Sequence, residues 1–255
     1  MPEDIVRTAW QHAEAAEMTV HPLKGSNKKN FVLFTNQVAL TVEDKVLNES
    51  SRLLAQNFGQ TVDEIARDVL ASTTSVTQCS NGLNGNTPTE LTSDDIFGAV
   101  QTLLNNDAKM ISKVVSGSTK IATQPVRPAF WGIIDTALLD DLEAVSTFVN
   151  AANYAGSQTV LDEEWGATRN VRWMYTSVGS VTSATPAVYN CIILGQEAYA
   201  VVRLGSNTGE FYVEPLGSGG SADPLHQRGS VGWQHPFVAR ILNDAFMNNL
   251  LATHS

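Results

Sequence analysis

Positive charge is scarce in this sequence. The 16 Lys and Arg stand against 26 Asp and Glu, giving a net charge of −10 and a pI near 4.9. Affinity for nucleic acid comes largely from phosphate neutralisation by Lys and Arg, so an acidic chain argues against wrapping it. Cysteine is scarcer still, with only Cys79 and Cys191. Cys79 falls in a Ser/Thr/Asn/Gly stretch and Cys191 in an apolar one; pairing them is open but nothing requires it, and a reduced, cytosolic site of folding is the simpler reading. No apolar run reaches the ~18 residues of a transmembrane helix. The start, Met-Pro-Glu-Asp, lacks the basic opening and apolar core of a signal peptide.

The signatures of chemistry are missing too. Lys24-Gly25-Ser26 lacks the preceding glycine of a phosphate loop, and no Gly-x-Gly-x-x-Gly turn joins the strand Arg127–Asp135 to the helix after it. The glycine-rich Leu216-Gly-Ser-Gly-Gly-Ser221 runs on into Ala222-Asp223-Pro224 instead of Lys-Ser/Thr, so it reads as a flexible turn. No Gly-x-Ser-x-Gly elbow and no Cys/His cluster of zinc spacing occurs. His12 and Glu14 would face apart on a helix. Glu163-Glu164 reads as a solvated acidic turn. Among His12, His21, His226, His235 and His254, it is His226 with Asp223 that makes the best acid/base pair by proximity, and Ser221 or Ser230 could serve as a nucleophile beside them. The expectation is no catalytic, cofactor-binding or metal-ligating residue, and no enzyme.

What the chain does have is one long amphipathic stretch, Val42 to Leu70. Val42, Val46, Leu47, Leu53, Leu54, Phe58, Val62, Ile65, Val69 and Leu70 recur in steps of three and four, which predicts a helix on the order of 40 Å long. Arg52 and Arg67 lie on its polar face, where two pairings are open: with acids of the same helix, Glu49, Asp63 or Glu64, or with acids of a neighbouring copy. A weaker helix is predicted over Ile5–Met18. His21–Asn30 reads as a turn carrying Lys24, Lys28 and Lys29, and Phe31–Leu40 as a strand.

Beyond the long helix, Ala71–Thr92 is a polar, nearly uncharged connection. Thr92 and Ser93 offer an N-cap, with Asp94 and Asp95 in the first turn of a second helix striped by Ile96, Ala99, Val100, Leu103 and Leu104. Ala108–Pro125 is irregular. Arg127–Asp135 reads as a buried strand, and Leu138 to Val149 as a helix. From Val171 the pattern becomes short strands: Val171–Thr176, Ala187–Leu194, Tyr199–Leu204 and Glu210–Glu214, with Gly205–Gly209 as a turn. Ser230–Leu242 alternates loosely, and Pro236 makes it an edge or bulged strand. Asp244–Leu251 reads as a short closing helix.

The block Ser221-Ala-Asp-Pro-Leu-His-Gln-Arg-Gly-Ser-Val-Gly-Trp233, followed by Ala239-Arg-Ile-Leu-Asn243, resembles the closing segment of the major capsid proteins of tailed bacteriophages. Val188-Tyr189 with Leu194–Val202 is similar to that family's preceding hairpin. Glu164-Trp-Gly166 with Asn170-Val-Arg172 is similar to its turn and strand, and Leu91–Ile96 to its second helix start. The resemblance runs from about Val42 to Asn243, and Asp223–Trp233 is its most specific part.

The resemblance implies an α+β fold of the Hong Kong 97 type. Residues 1–41 would be an N-terminal arm with a shortened extended loop, since only about forty residues precede the helix. Residues 42–125 would be a peripheral subdomain built on a spine helix at 42–70, 126–228 an axial subdomain, and 229–255 a strand returning to the periphery. The chain would assemble with itself as hexamers and pentamers of an icosahedral shell around double-stranded DNA held without sequence specificity. It would have scaffold, portal and cementing proteins as further partners, no membrane, and a place in the virion after assembly in the host cytoplasm. Asp223, Pro224, Gln227, Arg228, Gly232 and Trp233 carry the motif. Asp223 and Arg228 are expected to pair across the turn, the alternative being two exposed charges, and Trp233 to anchor the core, the alternative being an interface hot spot. A bacterial encapsulin-like compartment shell is the alternative, and a soluble hydrolase using Asp223 and His226 a more distant one.

Overall fold

The computed structural model describes residues 27–36, 46–80, 87–111, 128–154, 163–202, 209–220 and 223–254. The helix expected at Ile5–Met18, Lys24, the first residues of the long helix, the stretch 112–127 and most of the Gly205–Gly209 turn lie outside them. In chain order the elements are β1 (Asn27–Thr35), α1 (Val46–Ala71), β2 (Val76–Gln78), α2 (Ser93–Asn105), β3 (Phe130–Asp135), α3 (Leu139–Ala144), β4 (Phe148–Asn150), β5 (Glu164–Thr168), β6 (Val171–Thr176), β7 (Val181–Thr182), β8 (Val188–Leu194), β9 (Tyr199–Val202), β10 (Glu210–Glu214), β11 (Arg228–Pro236), β12 (Val238–Ile241) and β13 (Met247–Thr253). Contacts divide the chain into two compact units, one from residues 1–63 and 201–238, the other from 64–200 and 239–255. That partition rests on packing within one chain.

The first unit holds a three-stranded antiparallel sheet in the order β1-β11-β10. Alternation along β1 sends Asn30, Val32 and Phe34 inward and leaves Lys29, Phe31 and Leu33 outside. Inward residues meet the first half of α1: Phe34, Val231 and Trp233 bury against Leu54, with Leu47 and Phe58 alongside. Phe58 stands edge-on to Trp233 with ring centres 5.1 Å apart. Asn30, a buried polar residue of this layer, donates to Asn57 Oδ1 at 2.8 Å.

Two expectations change here. Lys28 and Lys29 belong to β1, not to a turn. The strand over Ser230–Leu242 divides into β11 and β12, and β11 is the central strand of its sheet, not an edge. Pro236 is tolerated because it is the last residue of β11, where its missing N–H interrupts no ladder.

The second unit is built on an eight-stranded mixed sheet in the order β2-β13-β8-β3-β6-β5-β4, with β7 added beside β8. Alternation in β8 decides the two faces. Cys191 and Ile193 face the larger core with Ile96, Ala99, Val100 and Leu103 of α2, while Ile192 and Leu194 face Leu70 and Met247. Gly132 of β3 pairs with Trp173 of β6. A Cβ at Gly132 would lie 2.4 Å from the indole, so the fully buried ring needs glycine there.

α2 starts as the sequence predicts: Thr92 is the N-cap, and Asp95 closes a reciprocal capping box with it. α3 is shorter than predicted. It ends at Ala144 because Val145 turns extended to bury its side chain, and Phe148 and Val149 enter β4. The closing helix at Asp244–Leu251 is absent; a single 3-10 turn at Asp244–Phe246 leads into β13. Asn248 and Asn249 are poor helix formers, and their amides reach Thr77 Oγ1 at 3.1 Å and Asn190 Oδ1 at 2.7 Å across the sheet. The polar connection 71–92 also contributes a strand, β2, parallel to β13. Cys79 consequently has its N–H on Leu251 O at 2.9 Å and its thiol fully buried. Cys79 and Cys191 are both free thiols. Burial drives both to higher pKa, Cys191 to about 12.

Candidate assembly surface

The Asp223–Trp233 block is a turn followed by the central strand of the first unit. The Asp223 carboxylate accepts the backbone N–H of Arg228 at 2.7 Å. That bond, helped by the Gln227 N–H, holds its pKa below the usual aspartate value. The turn is thus closed by a side-chain-to-backbone bond, where the sequence suggested an ion pair of Asp223 with the Arg228 guanidinium. Gln227 O accepts the N–H of Asn36 at 2.8 Å, which ties the turn to the end of β1. Pro224 is exposed at its tip. Gly232 lies between Phe31 and Tyr212. A Cβ there would come within 2.9 Å of Phe31 Cβ, so the residue types of this row are coupled. Trp233 is buried in the core.

Asp223 and His226 are adjacent through a backbone bond, His226 N–H to Asp223 O at 3.1 Å. The imidazole Nδ1 is 3.1 Å from Gly217 O. The carboxylate is committed to backbone amides and the ring to a carbonyl, an arrangement that braces a turn.

Arg52 and Arg67 find partners close in sequence. Arg52 binds Glu49 bidentately, with Nε to Oε2 at 3.0 Å. Arg67 donates to its neighbour Asp68 and to Val178 O at 2.8 Å, and so holds the end of α1 to the loop before β7.

The reading of Glu163-Glu164 as a solvated turn fails for the second residue. Glu163 is exposed, but Glu164 is buried and forms an ion pair with Arg172 of the adjacent strand, Nε to Oε1 at 2.7 Å. Tyr154 donates to the same carboxylate at 3.0 Å. Burial, then the Glu164 charge, raises the pKa of that phenol. The signal was present in Val171-Arg-Trp-Met: a charge inside an apolar strand needs a partner.

Among the described residues no group of three His, Cys, Asp or Glu could hold a metal, and no helix is long and apolar enough to cross a membrane. Exposed apolar residues are what remain. Phe31, Leu33, Phe211, Tyr212 and Val213 are each about half exposed, all on the edge strands β1 and β10.

No protein-family model matches the chain, and no curated protein does. Backbone shape gives a different answer. The capsid of Ralstonia phage GP4 aligns over 90% of this chain and 73% of that one, with TM-score 0.62 at 11% identity. The head structure of Helicobacter pylori bacteriophage KHP40 aligns over 90% and 74%, with TM-score 0.60 at 10% identity. The chain has the Hong Kong 97-type capsid fold. The encapsulin of Synechococcus elongatus PCC 7942 is also similar, over 88% of this chain and 72% of that one, with TM-score 0.55 at 11% identity. The same shape thus recurs in phage capsids and in an encapsulin, and the α+β expectation agrees with it.

Proposed function

We propose that this protein is a viral major capsid protein that self-assembles into an icosahedral shell enclosing double-stranded DNA. One observation carries the reading: the likeness to phage capsid chains extends over about nine tenths of this chain. The subunits are arranged as hexamers and pentamers, with 42–125 at the periphery, 126–228 towards the axes, 229–255 returning to the periphery and 1–41 as an arm. Scaffold, portal and cementing proteins complete the virion, which is assembled in the host cytoplasm. The protein catalyses nothing. Asp223, Pro224, Gln227, Arg228 and Gly232 shape the first unit's turn and sheet, Trp233 anchors its core, and Arg52 and Arg67 brace α1.

The acidic net charge of −10 supports a container, because packed DNA slides against a wall that repels it. Purified full-length protein, sized by light scattering and negative-stain imaging, is expected to form closed particles. A protein that stays monomeric across salt and concentration overturns the reading.

The encapsulin neighbour supports a second reading, a compartment shell loaded with an enzyme. The content of particles purified from the native source separates the two: nuclease-protected DNA for a virion, a protein cargo for a compartment.

A further inference from the structure

Among the described residues, the three-stranded sheet of the first unit ends on two edges of opposite character, and the register places their charges level. β1 and β10 are both antiparallel to β11, so they run parallel to one another. Three rows cross the outer face of this sheet. Lys29 and Glu210 both pair with Gln234, Phe31 and Tyr212 with Gly232, and Leu33 and Glu214 with Ser230. One edge therefore presents Lys, Phe, Leu, and the other Glu, Tyr, Glu, at matching heights. All five residues of β10 are exposed. An exposed apolar edge strand is a template for pairing with another chain.

We propose that β10 of one copy pairs with β1 of the next copy, continuing the sheet head to tail across the subunit boundary. This rests on the self-assembly reading above and specifies one of its contacts. In that continuation Lys29 of the second copy meets Glu210 of the first, and Phe31 meets Tyr212. Charge selects this pairing over the symmetric ones. Antiparallel pairing of β10 with itself about Tyr212 sets Glu210 against Glu214, like charge on like, which is unfavourable. Antiparallel pairing of β1 with itself leaves Lys29 without an acid. A head-to-tail contact of unlike edges also closes into rings where the rotation allows, as a two-fold contact does not.

The test uses the full-length protein under conditions in which the wild type assembles. Glu210→Lys and Lys29→Glu each set like charges level, and each is expected to reduce the assembled fraction about tenfold or more. The double swap, Lys29→Glu with Glu210→Lys, is expected to restore it. Circular dichroism and melting temperature of all three variants should match the wild type, since both side chains are exposed. A second readout is independent of charge: Phe31→Cys with Tyr212→Cys should give a ladder of disulfide-linked multimers on a non-reducing gel, with Cys79 and Cys191 buried away from it. A swap that does not restore assembly, or cysteines that stay unlinked in assembled particles, overturns the pairing and leaves the capsid reading standing. So does a Lys29→Glu protein that assembles more readily, because Lys29 would then be guarding the edge. A wild type that never assembles overturns both.

Discussion

Arg172 and Glu164 illustrate what a buried charge demands. Each is desolvated, their side chains being 8% and 0% exposed, and each carboxylate oxygen is engaged by the guanidinium. Removing one charge breaks a buried ion pair, which costs about 3–5 kcal/mol. Glu164→Gln is therefore expected to shift the denaturant unfolding midpoint by that equivalent, and an unchanged midpoint would mean that the pair is not buried in solution. Two sites nearer the surface give opposite pH dependences. Asp244 accepts from the Thr73 hydroxyl at 2.6 Å and the Thr74 N–H at 3.2 Å, and the Thr73 bond foremost holds its pKa below the ordinary value. Its contribution is complete above the unfolded value of about 3.9 and is lost as pH falls through the lower folded value. His254 lies 2.9 Å from Asp141, and that bond foremost raises its pKa. Its contribution is complete below about 6.5 and is lost as pH rises through the raised folded value. Melting curves from pH 2 to 9 should show Asp244→Asn converging on the wild type in acid, and His254→Gln converging in base.

α2 and β13 show the two ways an element is specified. α2 is announced locally: Thr92 accepts the Asp95 N–H, Asp95 returns the bond to the Thr92 N–H at 3.1 Å, and an apolar stripe follows. Thr92→Ala is expected to cost about 1 kcal/mol of unfolding free energy while Asp95 holds its place. β13 has no such local signature. Its strand state comes from β2 on one side and β8 on the other, both distant in sequence. Leu250 is fully buried in the larger core, so Leu250→Ala should cost about 2–5 kcal/mol in the same measurement.

At the scale of the whole molecule, charge and exposed apolar surface point in complementary directions. The net charge of −10 is a property of the sum, whereas the apolar surface on β1 and β10 is local and flanked by Lys29, Glu210 and Glu214. Assembly driven by that surface and steered by those charges should weaken as salt screens the pairs. Empty shells titrated with double-stranded DNA at low salt should show no binding up to micromolar concentration, as measured by fluorescence anisotropy. Tight binding would count against the proposed non-adhesive container.

The sequence by itself determined two helices, the body of α1 and the start of α2, and several short strands. The 3.6-residue stripe of α1, the cap of α2 and the Asp223–Trp233 block are local patterns whose energetics lie within a few turns of chain, and β6 and β10 were legible from composition and flanking turn residues. Tertiary structure alone decided the rest: that β11 is central, that Met247–Thr253 is a strand, that α3 stops at Ala144, that Glu164 is buried, and that β10 is an edge. A short strand has little stability of its own, and its ladder and its exposure are supplied by segments tens to hundreds of residues away. The same holds for the proposed contact, since the level placing of Lys29 and Glu210 exists only once both strands are paired to β11.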